Sequence, residues 1–101
     1  MKDLILSATT LIGDDVVNYN GENLGEVKEI MINPNTGKVA YVVVSYGGFL
    51  GMGDKLFAFP IKAFKVDTAN AQFKIKKTKE ELEEAPGFDK NNWPETSSDY
   101  W

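Results

Sequence analysis

The sequence predicts an all-β domain, a small β-barrel of about six antiparallel strands with one short C-terminal helix. Three observations carry that expectation. Turn signals recur at short spacing, at Asn20-Gly21, Asn33-Pro34-Asn35-Thr36-Gly37, Gly47-Gly48 and Thr68-Ala69-Asn70-Ala71. The segments between them are rich in Val, Ile, Phe and Tyr and alternate with the period of a strand. One stretch alone, residues 78–85, carries the punctuation of a helix.

The elements follow in chain order. Asn20-Gly21 tolerates positive φ, so residues 16–19 and 24–33 read as the arms of a first hairpin. In the second arm Leu24, Ile30 and Ile32 share one parity and Val27 takes the other, which a β-bulge near Lys28-Glu29 would reconcile. Residues 38–46 have the highest β-propensity in the chain and are apolar on both faces, as Val39, Tyr41 and Val43 alternate with Ala40, Val42 and Val44. That pattern predicts a central strand whose second face needs a helix, the tail or another subunit to cover it. Residues 55–59 set Leu56 and Ala58 opposite Phe57 and Phe59, and Pro60 ends the pairing because it has no N–H to donate. Residues 61–64 fit a single turn. Residues 65–67 and 72–76 form a last hairpin at the sheet edge, with Phe73 and Ile75 inward and Lys74 and Lys76 toward water. Lys74, Lys76 and Lys77 then guard that edge against further pairing.

Thr78-Lys79-Glu80-Glu81 is a capping box that opens the helix, and Pro86-Gly87 stop it. About two turns of helix persist only when docked, and Leu82 and Ala85 supply the apolar edge for that. The domain is expected to cover residues 1–87, including helix 78–85. Residues 88–101 form an acidic, aromatic C-terminal tail.

Composition narrows the function. The chain has 101 residues, no Cys and no His, and its eleven cations are all Lys. Thiol nucleophiles, Cys or His zinc sites and Ser-His-Asp triads are excluded for lack of parts. The net charge is −4, and the acids concentrate beyond residue 77. A phosphate-tracking protein wants a cationic excess and usually Arg forks, so nucleic acid is not an expected partner. The apolar stretches are far shorter than the roughly 20 residues of a membrane span, and the N-terminal block Leu4-Ile5-Leu6 is too short for a signal-peptide core, so the expected location is the cytoplasm.

The order of pieces resembles the PRC-barrel family, the small β-barrel shared by the H subunit of photosynthetic reaction centres and a ribosome-maturation factor. The residues that carry the resemblance are Leu11-Ile12-Gly13, Asn20-Gly21-Glu22-Asn23-Leu24-Gly25-Glu26-Val27 and Val39-Ala40-Tyr41-Val42-Val43-Val44-Ser45. A sharper block is Gly47-Gly48-Phe49-Leu50-Gly51-Met52-Gly53-Asp54-Lys55 with Phe59-Pro60-Ile61 after it, and residues 78–89 look like the helix and exit of stand-alone bacterial and archaeal members. Coverage is roughly residues 7–93. The resemblance implies a non-catalytic adaptor or assembly module and brings no catalytic residue with it.

Each candidate site residue has a plainer role beside the functional one. The glycines at 47, 48, 51 and 53 lack the Gly-Lys-Ser/Thr and helix of a phosphate loop, so they read as a sharp reversal presenting Phe49, Leu50 and Met52. Those side chains either cap a barrel end or form an apolar contact patch. Asp67-Thr68-Ala69 is the one enzyme-like motif, after the Asp-Thr-Gly/Ala of homodimeric aspartic proteases, but Asn70-Ala71 continues it as a turn. Asp14-Asp15 with Asp54 could offer oxygen ligands to a hard cation, yet adjacent carboxylates usually mark a solvated turn. Trp93, Tyr100 and Trp101 are large aromatics in a polar segment, which order only by docking on their own barrel, a second subunit or another protein.

The expected function is a non-catalytic protein-interaction, assembly or adaptor module that self-associates as a homodimer through Phe49, Leu50, Met52, Trp93, Tyr100 and Trp101. It needs no cofactor and no metal. The alternatives are a barrel that binds a small ligand in an open end, an accessory to RNA processing or ribosome assembly, and a carboxylate-based hydrolase.

Overall fold

A computed structural model describes residues 5–47, 54–88, 91, 93 and 94. Its strands are β1 (Asp15–Val17), β2 (Asn23–Asn33), β3 (Lys38–Gly47), β4 (Asp54–Phe59), β5 (Phe64–Asp67) and β6 (Gln72–Ile75). Two short helices flank them, α1 (Ala8–Leu11) and α2 (Lys79–Glu84), and a 3-10 turn (Ile61–Ala63) joins β4 to β5. The six strands form one curved sheet in the order β4-β3-β2-β1-β6-β5, a half-barrel with β4 and β5 as its outer strands.

The sheet is mixed where a purely antiparallel one was expected. β1 pairs parallel with β6, in the register Asp15↔Gln72, Val16↔Phe73 and Val17↔Lys74. The reason lies in the 3-10 turn. Pro60 ends β4 without a hairpin, so the chain crosses the barrel end and β5 starts in the same ladder sense as β4. One reversal is lost, and β6 reaches the open side of β1 running parallel to it. The β5–β6 hairpin lies at the sheet edge as expected, but only β5 is an outer strand, because β6 also pairs with β1.

Three register shifts bend the sheet. Leu24 is skipped between the pairs Val16↔Gly25 and Val17↔Asn23. Lys28 is skipped between Val27↔Val44 and Glu29↔Val43, the bulge that the parity slip of β2 predicts. The two shifts together turn Leu24, Val27 and Ile30 onto one core despite their mixed parity. A third skips Ala40, and beyond it Ile32 is 61% exposed, so it does not share the face of Leu24 and Ile30. Gly25 serves the first bend: its φ is +132°, and a Cβ there would fall on the Ser45 carbonyl oxygen.

The principal core lies inside the curve, built of Val16, Leu24, Val27, Val42, Val44, Phe57, Phe59, Phe73, Ile75 and Leu82. Phe57 and Phe59 point into it, while Leu56 and Ala58 point to the outer face, as the alternation of β4 predicts. A ring series links the strands inside, with Phe57 stacked on Phe59 and Phe64 meeting Phe73 edge to face at 5.3 Å. Leu11 of α1 packs on the same core; a single helical turn is too short to show as periodicity in the sequence.

Helix α2 is built as its sequence predicts. The Glu81 N–H donates to the Thr78 hydroxyl at 3.1 Å, and the Thr78 N–H donates to a Glu81 carboxylate oxygen at 3.0 Å. Leu82 drops fully into the core. The helix carries no cation in its last turn, and Lys55 of β4 supplies one. Its ammonium donates to the carbonyls of Glu83 at 2.6 Å and Ala85 at 3.2 Å, satisfying terminal acceptors at the negative end of the dipole.

Candidate functional site

Of the sequence-predicted site residues, Trp93 is placed by the structure. Phe49, Leu50, Met52, Tyr100 and Trp101 lie outside the described residues, as do residues 48–53 of the glycine-rich loop that holds the first three. Trp93 is half-buried against the outer face of β3 and β4, in a second apolar cluster with Tyr41, Val43, Leu56, Ala58, Met31 and Phe88. The route there starts at Gly87. Its φ of +66° turns the chain, and its lack of a side chain lets the backbone approach Leu56, whose carbonyl a Cβ would crowd at 2.8 Å. Phe88 then donates its N–H to that carbonyl at 2.7 Å, a single bridge on the outer edge of β4. Trp93 meets Phe88 edge to face at 5.2 Å, and the Tyr41 hydroxyl donates to the Pro94 carbonyl at 2.7 Å. This segment covers the second apolar face of the central strand, on its own barrel.

The other feature is a groove of 640 Å³ at the open end of the half-barrel, on the side where the 3-10 turn crosses. Each wall comes from where a strand stops. Phe59 ends β4, Phe64 begins β5, Ile75 ends β6, and Tyr19 follows β1. Tyr19 is held there by Asn18, which is buried. Its side-chain oxygen accepts from the N–H groups of Asn20 at 3.0 Å and Glu22 at 2.9 Å, and its amide donates to the Glu22 carboxylate at 2.7 Å. These bonds fold residues 18–22 into a tight loop ahead of β2.

Lys62, Lys65, Lys76 and Lys77 line the groove, and among the described residues no Asp or Glu does. Four cations thus gather around an aromatic floor in a chain of net charge −4. Lys76 and Lys77 rim this groove rather than guarding a sheet edge, because β1 occupies the edge they were expected to protect. Lys74 lies within β6, with its ammonium 3.9 Å from the Asp67 carboxylate. The lysines and apolar residues are visible in the sequence and the β5–β6 hairpin gathers them, but Tyr19 joins them only through the parallel β1–β6 pairing, which no hairpin signal reveals.

Of the carboxylates singled out in the sequence, Asp67 has local partners. Asp67 accepts from the Asn70 side-chain amide at 2.8 Å and from its N–H at 3.2 Å. The side-chain bond, more than any other influence, holds its carboxyl below the ordinary range. Partial burial, reinforced by neighbouring Asp15, holds the carboxyl of Asp14 above that range. Among the described residues no group of three or more Asp or Glu side chains is placed to hold a metal ion, and no helix is long and apolar enough to cross a membrane.

With the half-barrel established, residues 5–82 match the sequence pattern of the PRC-barrel domain, over most of the chain. The chain belongs to the PRC-barrel domain family. No curated protein shows significant similarity to it. Among solved structures, RimM of Pseudomonas aeruginosa, assigned to 16S ribosomal RNA processing, is similar with a TM-score of 0.51 at 16% identity. The alignment covers 74% of this PRC-barrel chain and 45% of that one, so the chain spans less than half the length of that protein. At this identity the likeness is one of fold.

Proposed function

We propose that this PRC-barrel is a non-catalytic protein-interaction module of the cytoplasm, self-associating as a homodimer and serving an assembly or adaptor role. The observation that carries the reading is the groove: an aromatic floor ringed by lysines, open at the end of the barrel, in a chain without Cys, His or Arg. These are recognition parts, an apolar surface to bury and point charges to orient a partner. The likeness of fold to a ribosomal RNA processing protein is compatible with an assembly role. Self-association is assigned to Phe49, Leu50 and Met52 and to the distal tail aromatics Tyr100 and Trp101, large apolar side chains in the sequence. Capture of binding proteins by the full chain and by Phe49→Ser/Leu50→Ser tests the adaptor role. The reading expects at least one captured protein to depend on the loop, and it fails if none does.

A second reading, a barrel that binds a small ligand, is favoured by the volume of the groove, which falls within the roughly 300–1,000 Å³ of small-molecule sites.

A further inference from the structure

The groove at the barrel end has a more specific chemistry than a generic contact surface. Its lining gathers four of the chain's eleven lysines and, among the described residues, no Asp or Glu, although Glu81 of α2 pairs with Lys77 from outside it at 3.6 Å. Its floor is the half-buried ring of Phe64, backed edge to face at 5.7 Å by the buried ring of Phe59, and Tyr19, which is 55% exposed, lines it as well. A smaller recess of 200 Å³ continues it, sharing Tyr19, Lys76 and Lys77 and running on past Asn20 and Thr78. Together they make a trough lined by apolar and aromatic residues with lysines in the larger recess and by polar residues with lysines in the smaller one.

We infer that this trough binds an acidic peptide segment of another protein, with an aromatic side chain on the Phe59–Phe64 floor and flanking carboxylates on the lysine rim. The inference deepens the interaction-module reading and rests on it. Lysine ammoniums on flexible stems accept carboxylates at variable positions, which suits a linear segment better than a fixed planar fork would. Each exposed ion pair is weak alone, so affinity comes from the buried ring and selectivity from the charges. A nucleic acid strand fits the trough less well. Thr78 and α2 follow Lys77, so four Glu stand within seven residues of it, and Glu81, already 3.6 Å from Lys77, repels an extended run of phosphates. A short peptide sets its few carboxylates on the lysines and stops before that helix.

The test uses the full chain and a fluorescein-labelled heptapeptide of six acidic residues around one phenylalanine, read by anisotropy at low salt. The same chain with Glu95→Gln, Asp99→Asn, Tyr100→Ser and Trp101→Ser is titrated in parallel, so that its own acidic aromatic residues cannot compete. Saturable binding by either protein is expected, weakened about ten-fold by Lys62→Glu/Lys65→Glu and by rising salt. Replacing the peptide's phenylalanine with serine should weaken it as well. Lys62 and Lys65 are exposed, so the variant is expected to keep the wild-type circular dichroism, and Lys62→Gln/Lys65→Gln should give a smaller loss. The inference is overturned by any of three results: no binding by either protein, binding indifferent to the lysine substitutions, or tighter lysine-dependent binding of a labelled single-stranded RNA. Loop-dependent capture through Phe49 and Leu50 is a separate readout, so failure of the trough and failure of the adaptor role are distinguishable.

Discussion

Phe59 and Phe64 meet edge to face, their ring centroids 5.7 Å apart and their planes at 89°, between the two outer strands of the half-barrel. β4 and β5 exchange no ladder hydrogen bonds, because they lie at opposite ends of the strand order. Side-chain packing therefore closes the sheet where backbone pairing does not, and the ring series continues through Phe57 on one side and Phe73 on the other. Phe64→Ala should remove that closure. Phe64 is only half-buried, so the expected loss is about 2 kcal/mol, below the ~3–5 kcal/mol of a fully buried Phe→Ala change. Urea denaturation measures it, and a change under about 0.5 kcal/mol would mean the seam is held by something else.

Gly87→Ala should loosen the segment that covers the outer face of β3 and β4. The substitution forces a side chain into positive φ and against the Leu56 carbonyl, for a combined loss of about 1–2 kcal/mol. The amide of Phe88, which donates to Leu56, should lose protection from hydrogen exchange, and Trp93 fluorescence should shift to the red. Unchanged protection of Phe88 would show that the turn does not need glycine.

Much of the architecture was legible in the residues because it rests on local chemistry. The capping box at Thr78 and Glu81, the split of β4 into Phe57/Phe59 and Leu56/Ala58 faces, and the bulge at Lys28 each follow from a pattern a few residues long. The apolar second face of β3 also predicted that something must cover it, although three candidates for the cover were equally consistent with the sequence. What the residues did not show is non-local. The parallel pairing of Val16 with Phe73 joins strands more than fifty residues apart, and it alone brings Tyr19 beside Ile75 and Lys76. The role of Asn18 was equally hidden, since a buried Asn cannot be told from a turn Asn until the loop it holds is seen.

Asn18→Ala should therefore cost more than an ordinary loop substitution. It leaves the N–H groups of Asn20 and Glu22 without their acceptor and opens a buried site, an expected loss of about 1–3 kcal/mol. Thermal denaturation measures the stability. Because Tyr19 follows directly, the groove should lose affinity for any ligand by more than the fraction unfolded explains. A variant as stable as wild type would contradict the role given to Asn18.

Acid should weaken α2 and the β5–β6 turn in the same range. The hydrogen bond from the Thr78 N–H is the main reason the Glu81 carboxyl sits below its ordinary value, and the Asn70 side chain does the same for Asp67. Both folded values are depressed, so both contributions are complete above the unfolded values of about 4 and are lost as pH falls through the lower folded ones. Protection of the Thr78 and Asn70 amides, taken relative to the intrinsic exchange rate at each pH, should fall between pH 6 and pH 2.5. Glu81→Gln retains an acceptor without the charge and should flatten the response at α2 alone. A response at α2 that is the same with Gln at position 81 would assign it to another group.

The central claim is that this PRC-barrel works by recognition and recognises a second copy of itself. Sedimentation equilibrium over a wide concentration range tests it most directly, on the wild-type chain beside Phe49→Ser/Leu50→Ser. The account predicts a mass rising from 11.2 kDa toward twice that value with concentration, and a rise shifted to higher concentration in the loop variant. A mass that stays at that of one chain throughout the range would contradict it.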